Sequence, residues 1–267
     1  MTIPQHTLCA NNLSTGYPNH TVIQDLNIAL PSNKVSVIIG GNGCGKSTLL
    51  KSFCRLGKVL NGSILLDGKQ IHEYHSKEFA QKLGLLPQTP VVPEGISVID
   101  LVARGRFPYQ KFMQRMNHSD YEKIQQALEI MGISDLADRN IDELSGGQRQ
   151  RVWIALALAQ DSDILLLDEP TTYLDIAYQV EILEIMKELN RKKGITIAMV
   201  LHEINLACRY ADHLFAMKNG KLFAEGSPKD IVTEDLMREV FDLESKIIED
   251  PVFGTPFVIP IGKNPNT

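Results

Sequence analysis

The 267-residue sequence predicts an α/β protein with a mostly parallel core sheet, and three observations lead there. Short apolar runs alternate with segments of helical periodicity along most of the chain. One such run, Val35-Ser36-Val37-Ile38-Ile39, leads into Gly40-Gly41-Asn42-Gly43-Cys44-Gly45-Lys46-Ser47 and then Thr48-Leu49-Leu50-Lys51-Ser52-Phe53. That is the strand–loop–helix order of a phosphate-binding loop, and the octet fits G-x-x-x-x-G-K-[ST] without a mismatch. A later run, Ile164-Leu165-Leu166-Leu167, ends in the acid pair Asp168-Glu169.

Taken in order, Val35–Gly40 predicts a buried strand and Gly45 to about Cys54 a helix. Ser63–Asp67 predicts a short strand closing on the turn Asp67-Gly68. Leu83–Gln88 reads as a strand entering a proline-rich loop. Ser97–Ala103 and Ser119–Met131 read as helices, the second with Ile124, Leu128 and Met131 at helical spacing. Ser145 can cap a helix through about Ala159. Ile164–Asp168 is the next strand, and Leu174–Lys193 a long amphipathic helix with an i, i+3 ridge of Leu174, Ala177, Val180, Leu183 and Lys187 that turns polar at its end. Ile195–Leu201 is another buried strand, ending at His202. From about 88 to 159 no strong strand signal occurs, which predicts a helical lobe inserted between a core of about 1–87 and 160–267. In the tail, Asp250–Pro260 alternates apolar residues between Pro and Gly, and Asn264–Thr267 is expected to fray.

Composition narrows the function classes. Apolar residues make up 43% of the chain, ordinary for a globular protein. The longest apolar stretches, Ile164–Leu167 and Ile195–Leu201, fall far short of the ~20 residues needed to cross a bilayer. Met1–His6 has neither a basic nor an apolar signal region. Any role in membrane transport would need a pore from another chain. The net charge of −5 and the dispersed Lys and Arg argue against a nucleic-acid partner. Cys9, Cys44, Cys54 and Cys208 show no paired spacing and read as free thiols. Cys44 stands out because it lies inside the phosphate loop, where alkylation is expected to block nucleotide binding.

The loop glycines let successive N–H groups of Gly40 to Ser47 and Thr48 point at phosphate oxygens, with the helix N-terminus behind them. Lys46 can reach the β- and γ-phosphates of ATP, and the Ser47 hydroxyl can ligate Mg²⁺. Asp168 at a strand end would face the same Mg²⁺. Glu169, one residue further, could polarise the attacking water. The competing reading of these two acids is a pair of charges that favour the N-terminus of the next helix. Leu144-Ser145-Gly146-Gly147-Gln148 opens another helix, and Ser145 alone would pass as a simple cap. Two glycines behind a cap each cost ~1 kcal/mol against Ala, so they make more sense if an anion must approach the backbone. One triphosphate hardly needs two helix N-termini from one chain. Three single residues carry weaker signals. His202 could bond a γ-phosphate oxygen or be a satisfied histidine at a strand end. Gln88 could contact Mg²⁺ or water or be an ordinary loop residue. Tyr17 could stack on adenine or be a turn aromatic between Gly16 and Pro18.

In this order the residues resemble the ATP-binding cassette family of transport ATPases over nearly the whole chain. The resemblance makes Tyr17 the adenine-stacking aromatic, Gly40–Ser47 the Walker A loop, Gln88 the Q-loop and Leu144–Gln148 the signature. Ile164–Asp168 matches Walker B, followed by Glu169, a D-loop ending in Asp175, and His202 as switch histidine. It implies a P-loop NTPase fold with a RecA-like, mostly parallel core sheet, a small antiparallel β subdomain and an inserted helical subdomain. It also implies two copies paired head-to-tail, each ATP held between one copy's loop and the other's Ser145-Gly146-Gly147. Gln88 and the loop after it would then couple nucleotide state to membrane subunits. Arg104-Gly105-Arg106-Phe107-Pro108-Tyr109-Gln110, Thr171-Thr172-Tyr173-Leu174-Asp175 and Asp250-Pro251-Val252-Phe253-Gly254-Thr255-Pro256 resemble the subfamily that imports ferric siderophores, haem and vitamin B12. That implies a peripheral ATPase on the cytoplasmic face of the membrane, a transmembrane permease and an extracytoplasmic substrate-binding protein. Two departures from the broad family stand out: Gly41 replaces the common Pro, and Thr172-Tyr173 replaces small residues. A translation or DNA-repair ATPase of the same family would usually carry a second cassette or a long coiled-coil insertion, and the chain has neither. A nucleotide-binding regulator without turnover is disfavoured by intact Lys46, Asp168, Glu169 and His202.

Overall fold

The computed structural model describes residues 6–17, 20–88, 94–111, 115–172 and 174–263. Chain order begins β1 (Leu8–Tyr17), β2 (His20–Leu30), β3 (Val35–Gly40), α1 (Lys46–Phe53), β4 (Lys58–Leu66), β5 (Lys69–Gln70) and α2 (Ser76–Lys82). Next come β6 (Leu83–Leu86), α3 (Val98–Ala103), α4 (His118–Ile130), α5 (Gly146–Ala159), β7 (Ile164–Asp168), α6 (Ile176–Lys193) and β8 (Thr196–Val200). The chain closes with α7 (Ile204–Tyr210), β9 (His213–Lys218), β10 (Lys221–Gly226), α8 (Pro228–Ile231), α9 (Glu234–Phe241), β11 (Leu243–Glu249) and β12 (Pro256–Lys263).

A six-stranded sheet in the order β10-β9-β3-β8-β7-β6 forms the centre, parallel except for β10. Its inner strands are buried on both faces, which is why they read as continuous apolar runs. Alternation sends their side chains to two different cores. Val35, Val37, Ile39, Leu165 and Leu167 face the helical side. Ile38, Ile164 and Leu166 pack with Leu49, Leu50 and Phe53 of α1 and with Leu8, Leu13, Ile23 and Leu26 of a second sheet. That sheet is antiparallel, in the order β2-β1-β4-β5. Ile38 and Asp168 both pair with Val200, so the carboxyl ends of β3, β7 and β8 lie in line. Gly40, Asp168 and His202 therefore emerge on one edge, where open parallel sheets present ligand sites.

Between β6 and β7 the described chain is helical apart from one bridge, Ser97–Asn140. A buried ion pair fastens this part: Arg106 Nε donates to Asp120 Oδ1 at 3.0 Å, and the same guanidinium donates to the Ala159 carbonyl at 2.8 Å. Asp120 also completes a capping box with Asn117 at the start of α4.

Several elements differ from the sequence expectation. α6 starts at Ile176, after Asp175, whose carboxylate accepts the Tyr178 N–H at 3.1 Å. Its buried stripe is Ile182, Leu183, Met186 and Leu189; of the expected ridge, Leu183 is buried, Leu174 and Val180 pack half-buried against the core, and Ala177 is exposed. Lys187, the expected polar end of that ridge, pairs with Asp212 at 2.6 Å. β4 begins five residues earlier than Ser63, and β6 stops at Leu86, before Gln88. The tail pairs β11 with β12 as a hairpin. Residues 89–93, Tyr173 and the expected fraying at 264–267 lie outside the described residues.

Candidate functional site

The loop after β3 is shaped by backbone that only glycine accepts. Gly40 has φ +150°, and a Cβ there would sit 2.3 Å from the Met217 carbonyl. Gly43 has φ +75° with open space where a side chain would be, on the side facing the cleft. Lys46 opens α1, is buried, and donates to the carbonyls of Gly40 and Gly41, both at 2.9 Å. The Cys44 thiol turns away into the core, 3.9 Å from Lys46 Nζ, and is 6% exposed.

Asn42, Gly43, Gly45, Lys46, Ser47 and Thr48 line one side of a cleft of about 380 Å³. Tyr17, His20 and Val22 from the β1–β2 sheet line its rim, and Gln88, Glu169 and His202 close the far side. Gly40, Gly41 and Cys44 are not among its lining residues. Tyr17 is 57% exposed, a flat apolar platform open to a base.

The acids at the end of β7 have opposite environments. Ser47 Oγ donates to Asp168 Oδ1 at 2.8 Å, while Asp168 Oδ2 is buried with no partner among the described residues. Burial pushes the Asp168 carboxyl above its ordinary range; the Ser47 bond opposes this and the Glu169 charge adds to it. A bare, desolvated carboxylate oxygen beside a hydroxyl is an oxygen donor set that fits a hard divalent cation. Glu169 adopts φ +56°, a left-handed backbone rare outside glycine, which swings its carboxylate into the cleft. There Oε1 lies 2.7 Å from His202 Nε2, and Oε2 accepts from Gln88 Nε2 at 2.7 Å and Thr172 Oγ1 at 3.0 Å. Burial alone would raise the Glu169 carboxyl, but the bonds from His202, Thr172 and Gln88 outweigh it and hold the group below its usual value. Glu169 is thus ionised at neutral pH and lines the same cleft as the loop residues Lys46, Ser47 and Thr48.

Ser145 and Asp175 are elsewhere. Ser145 and Gln148 form a reciprocal capping box on α5, with Gln148 N–H to Ser145 Oγ at 3.3 Å and Ser145 N–H to Gln148 Oε1 at 3.0 Å. Ser145, Gly147, Gln148 and Asp175 line a second cleft with Arg151, Leu174 and Tyr178. None of these residues lines the cleft of the phosphate loop. A Cβ on Gly146 would meet no described atom within 4 Å, so that backbone is open to an incoming group. Three residues here go beyond the sequence expectation: His20 and Val22, which line the cleft, and Thr172, whose hydroxyl bonds Glu169. Thr172 has a signal, a hydroxyl three residues after Glu169 in a turn where such side chains reach back.

A glycine-rich cradle at the N-terminus of α1, faced by an ionised Glu169 and a buried Asp168, defines a P-loop ATPase domain. The family model for ABC transporters matches residues 23–172, and the chain belongs to that family. It is 52% identical over 256 residues to the achromobactin transport ATP-binding protein CbrD of Dickeya dadantii, covering 96% of this chain and 95% of that one. The ferric enterobactin transport ATP-binding protein FepC of Escherichia coli is 50% identical over 96% of this chain and 94% of its own. Among solved structures, an inward-facing ABC transporter assigned to the metal-chelate type superposes with TM-score 0.82 at 28% identity, covering 97% and 98% of the two chains. The chain is therefore an ATP-binding ATPase of the ABC family, and none of its described helices is long and apolar enough to cross a membrane.

Proposed function

We propose that this chain is the ATP-hydrolysing subunit of an importer for a ferric siderophore or a related iron complex. One observation carries the catalytic part: Glu169, in the cleft lined by the phosphate loop, is gripped by Gln88, Thr172 and His202. In this reading Lys46 leaves the carbonyls of Gly40 and Gly41 to bind the β- and γ-phosphates, and the loop N–H groups cradle them. Tyr17 stacks on adenine. Glu169 accepts a proton from the attacking water, and His202 bonds the γ-phosphate. Ser47, Asp168 and the Gln88 amide oxygen would hold Mg²⁺, which supplies charge neutralisation for the transferring phosphoryl group.

The same reading pairs two copies head-to-tail. Each chain carries a loop cleft and a separate Ser145 cleft that share no lining residue, so a nucleotide in one cleft needs a second copy to meet the other. The open backbone at Gly146 and the capped α5 N-terminus suit an anion presented by the partner. Asp175 lies in that second cleft and would join the seam. The domain organisation that goes with it is one nucleotide-binding unit whose helical subdomain spans about 88–159. Transmembrane permease subunits and an extracytoplasmic binding protein complete the assembly, which places the chain on the cytoplasmic face of the membrane. The iron-siderophore cargo is supported by what CbrD and FepC transport and by nearly full-length identity of about one residue in two.

The test is transport itself. The chain and its permease, reconstituted in vesicles with ATP on the cassette side and the binding protein on the other, should move iron-55 supplied as a ferric catecholate siderophore across the membrane. Uptake of haem or vitamin B12 in its place would replace the cargo while keeping the ATPase. Iron uptake that proceeds equally without ATP would remove the proposal.

A further inference from the structure

The segment Asp250–Pro256 resembles a subfamily feature, yet it touches neither cleft. It is the turn of the C-terminal hairpin, and its internal bonds make it stiff. Asp250 Oδ1 accepts the N–H groups of Val252 and Phe253 at 2.8 and 3.2 Å. The Asp250 N–H donates to the Thr255 carbonyl and the Gly254 N–H to the Asp250 carbonyl, both at 2.8 Å. Gly254 closes the turn at φ +63°. The result holds Phe253 out, with the Arg209 guanidinium 3.7 Å above its ring.

Arg209 belongs to the last turn of α7, and the hairpin also holds the first turn. The Asn205 amide accepts the Val258 N–H at 2.7 Å and donates to the Val258 carbonyl at 3.2 Å. One side chain thus takes the place of a neighbouring strand along β12, at a residue that is 1% exposed. α7 is only seven residues long, and its N-cap residue Glu203 makes no side-chain capping bond among the described residues. So short a helix takes its position from what it packs against. The residue before Glu203 is His202, whose own side chain is 46% exposed and meets Glu169 at its tip.

We propose that the C-terminal hairpin is a splint for α7 that sets the position of His202, with Asn205 and Phe253 as positioning residues for ATP hydrolysis. The inference rests on the proposed role of His202. The hairpin holds α7 by both ends, so loosening either latch lets the Leu201–Glu203 turn drift and His202 miss the γ-phosphate. A displacement near 1 Å is enough to cost up to ~100-fold in rate.

A double-mutant cycle on the full-length protein with Mg²⁺-ATP tests this. His202→Ala should lower kcat by about 100-fold. Asn205→Ala should lower it by about tenfold with KM within about twofold, and Phe253→Ala should show the same split more mildly. Phe253 is half exposed, so that variant keeps the fold even if Asn205→Ala does not. In the His202→Ala background, both substitutions should cause no further loss of kcat. Equal fold-losses in both backgrounds, or wild-type kcat for both latch variants, would overturn the splint and leave the role of His202 standing. Wild-type kcat in His202→Ala itself would instead remove that role, and the inference with it.

Discussion

Replacing Glu169 with Gln changes charge while keeping shape, and the local bonds set the consequences. The carboxylate accepts three donors: His202 Nε2 at one oxygen, Gln88 Nε2 and Thr172 Oγ1 at the other. An amide fits if its oxygen stays with Gln88 and Thr172 and its nitrogen turns to a His202 that accepts there. The cluster survives, and the proton acceptor is gone. General-base catalysis of this kind is worth about 10²–10⁴-fold, or about 3–5 kcal/mol of transition-state stabilisation. ATP affinity should hold or rise, because one negative charge leaves the γ-phosphate end of the cleft. Nucleotide binding by fluorescence titration, phosphate release at saturating ATP and light scattering of the ATP-loaded protein read the three consequences. The expected pattern is tight binding, kcat down by at least about 100-fold and an accumulated dimer. A kcat within about threefold of wild type would refute Glu169 as the base.

Asp168→Asn should raise the melting temperature of the nucleotide-free protein. Burial raises the carboxyl of Asp168, so its ionised form costs stability at neutral pH, and that cost disappears as pH falls through the raised value. Asparagine leaves an unpaired polar group in place but removes its buried charge, so the melting temperature at neutral pH should rise, with loss of Mg²⁺-dependent hydrolysis. An unchanged melting temperature would count against a charge penalty at Asp168. Glu169 has the opposite sign: its depressed value adds stability above the ordinary carboxyl range that is lost as pH drops through the folded value, so Glu169→Gln should flatten that acid limb. Lys46→Ala should lose at least about 100-fold in ATP affinity, since a charge-assisted phosphate contact goes; unchanged binding would contradict the phosphate-loop reading. Ser145→Arg should leave monomer binding intact and abolish turnover, and in a mixed dimer the defect should fall in the wild-type partner's loop cleft. A defect confined to the variant's own cleft would sink the head-to-tail arrangement.

How far these residues can be read in the sequence depends on whether their signal is local. Val35–Gly40 and Ile164–Asp168 are legible because both faces of each strand are buried, so nearly every position is apolar and the ends fall at a glycine and an acid. β1 and β2 are not, because bulges break their period: Asn12 and Asp25 sit at φ +47° and +48°, and the register slips beside them. The tail alternation at Asp250–Pro260 is visible, but its partner strand Leu243–Glu249 is broken by a half-buried Glu244 and the exposed Lys246 and Glu249 and gives no long apolar run. The expected ridge on α6 is only part of the buried stripe: Leu174, Val180 and Leu183 pack on the core and Ala177 is exposed, while Ile182, Met186 and Leu189 add a row beside it that the i, i+3 spacing leaves out. Leu174 also lines the Ser145 cleft, so this end of the helix borders the second cleft. The same limit applies to the site. Lys46, Asp168 and Glu169 announce phosphate chemistry through their types and spacing, whereas the grip of Gln88, Thr172 and His202 on one carboxylate exists only once β6, β7 and β8 lie side by side. Sequence supplies the reacting groups, and strand order supplies their aim. The apolar residues left exposed on β12, Phe257, Ile259 and Ile261, follow from the same logic: the hairpin turns its inner face to α7 and α9, and among the described residues no second layer covers the outer one.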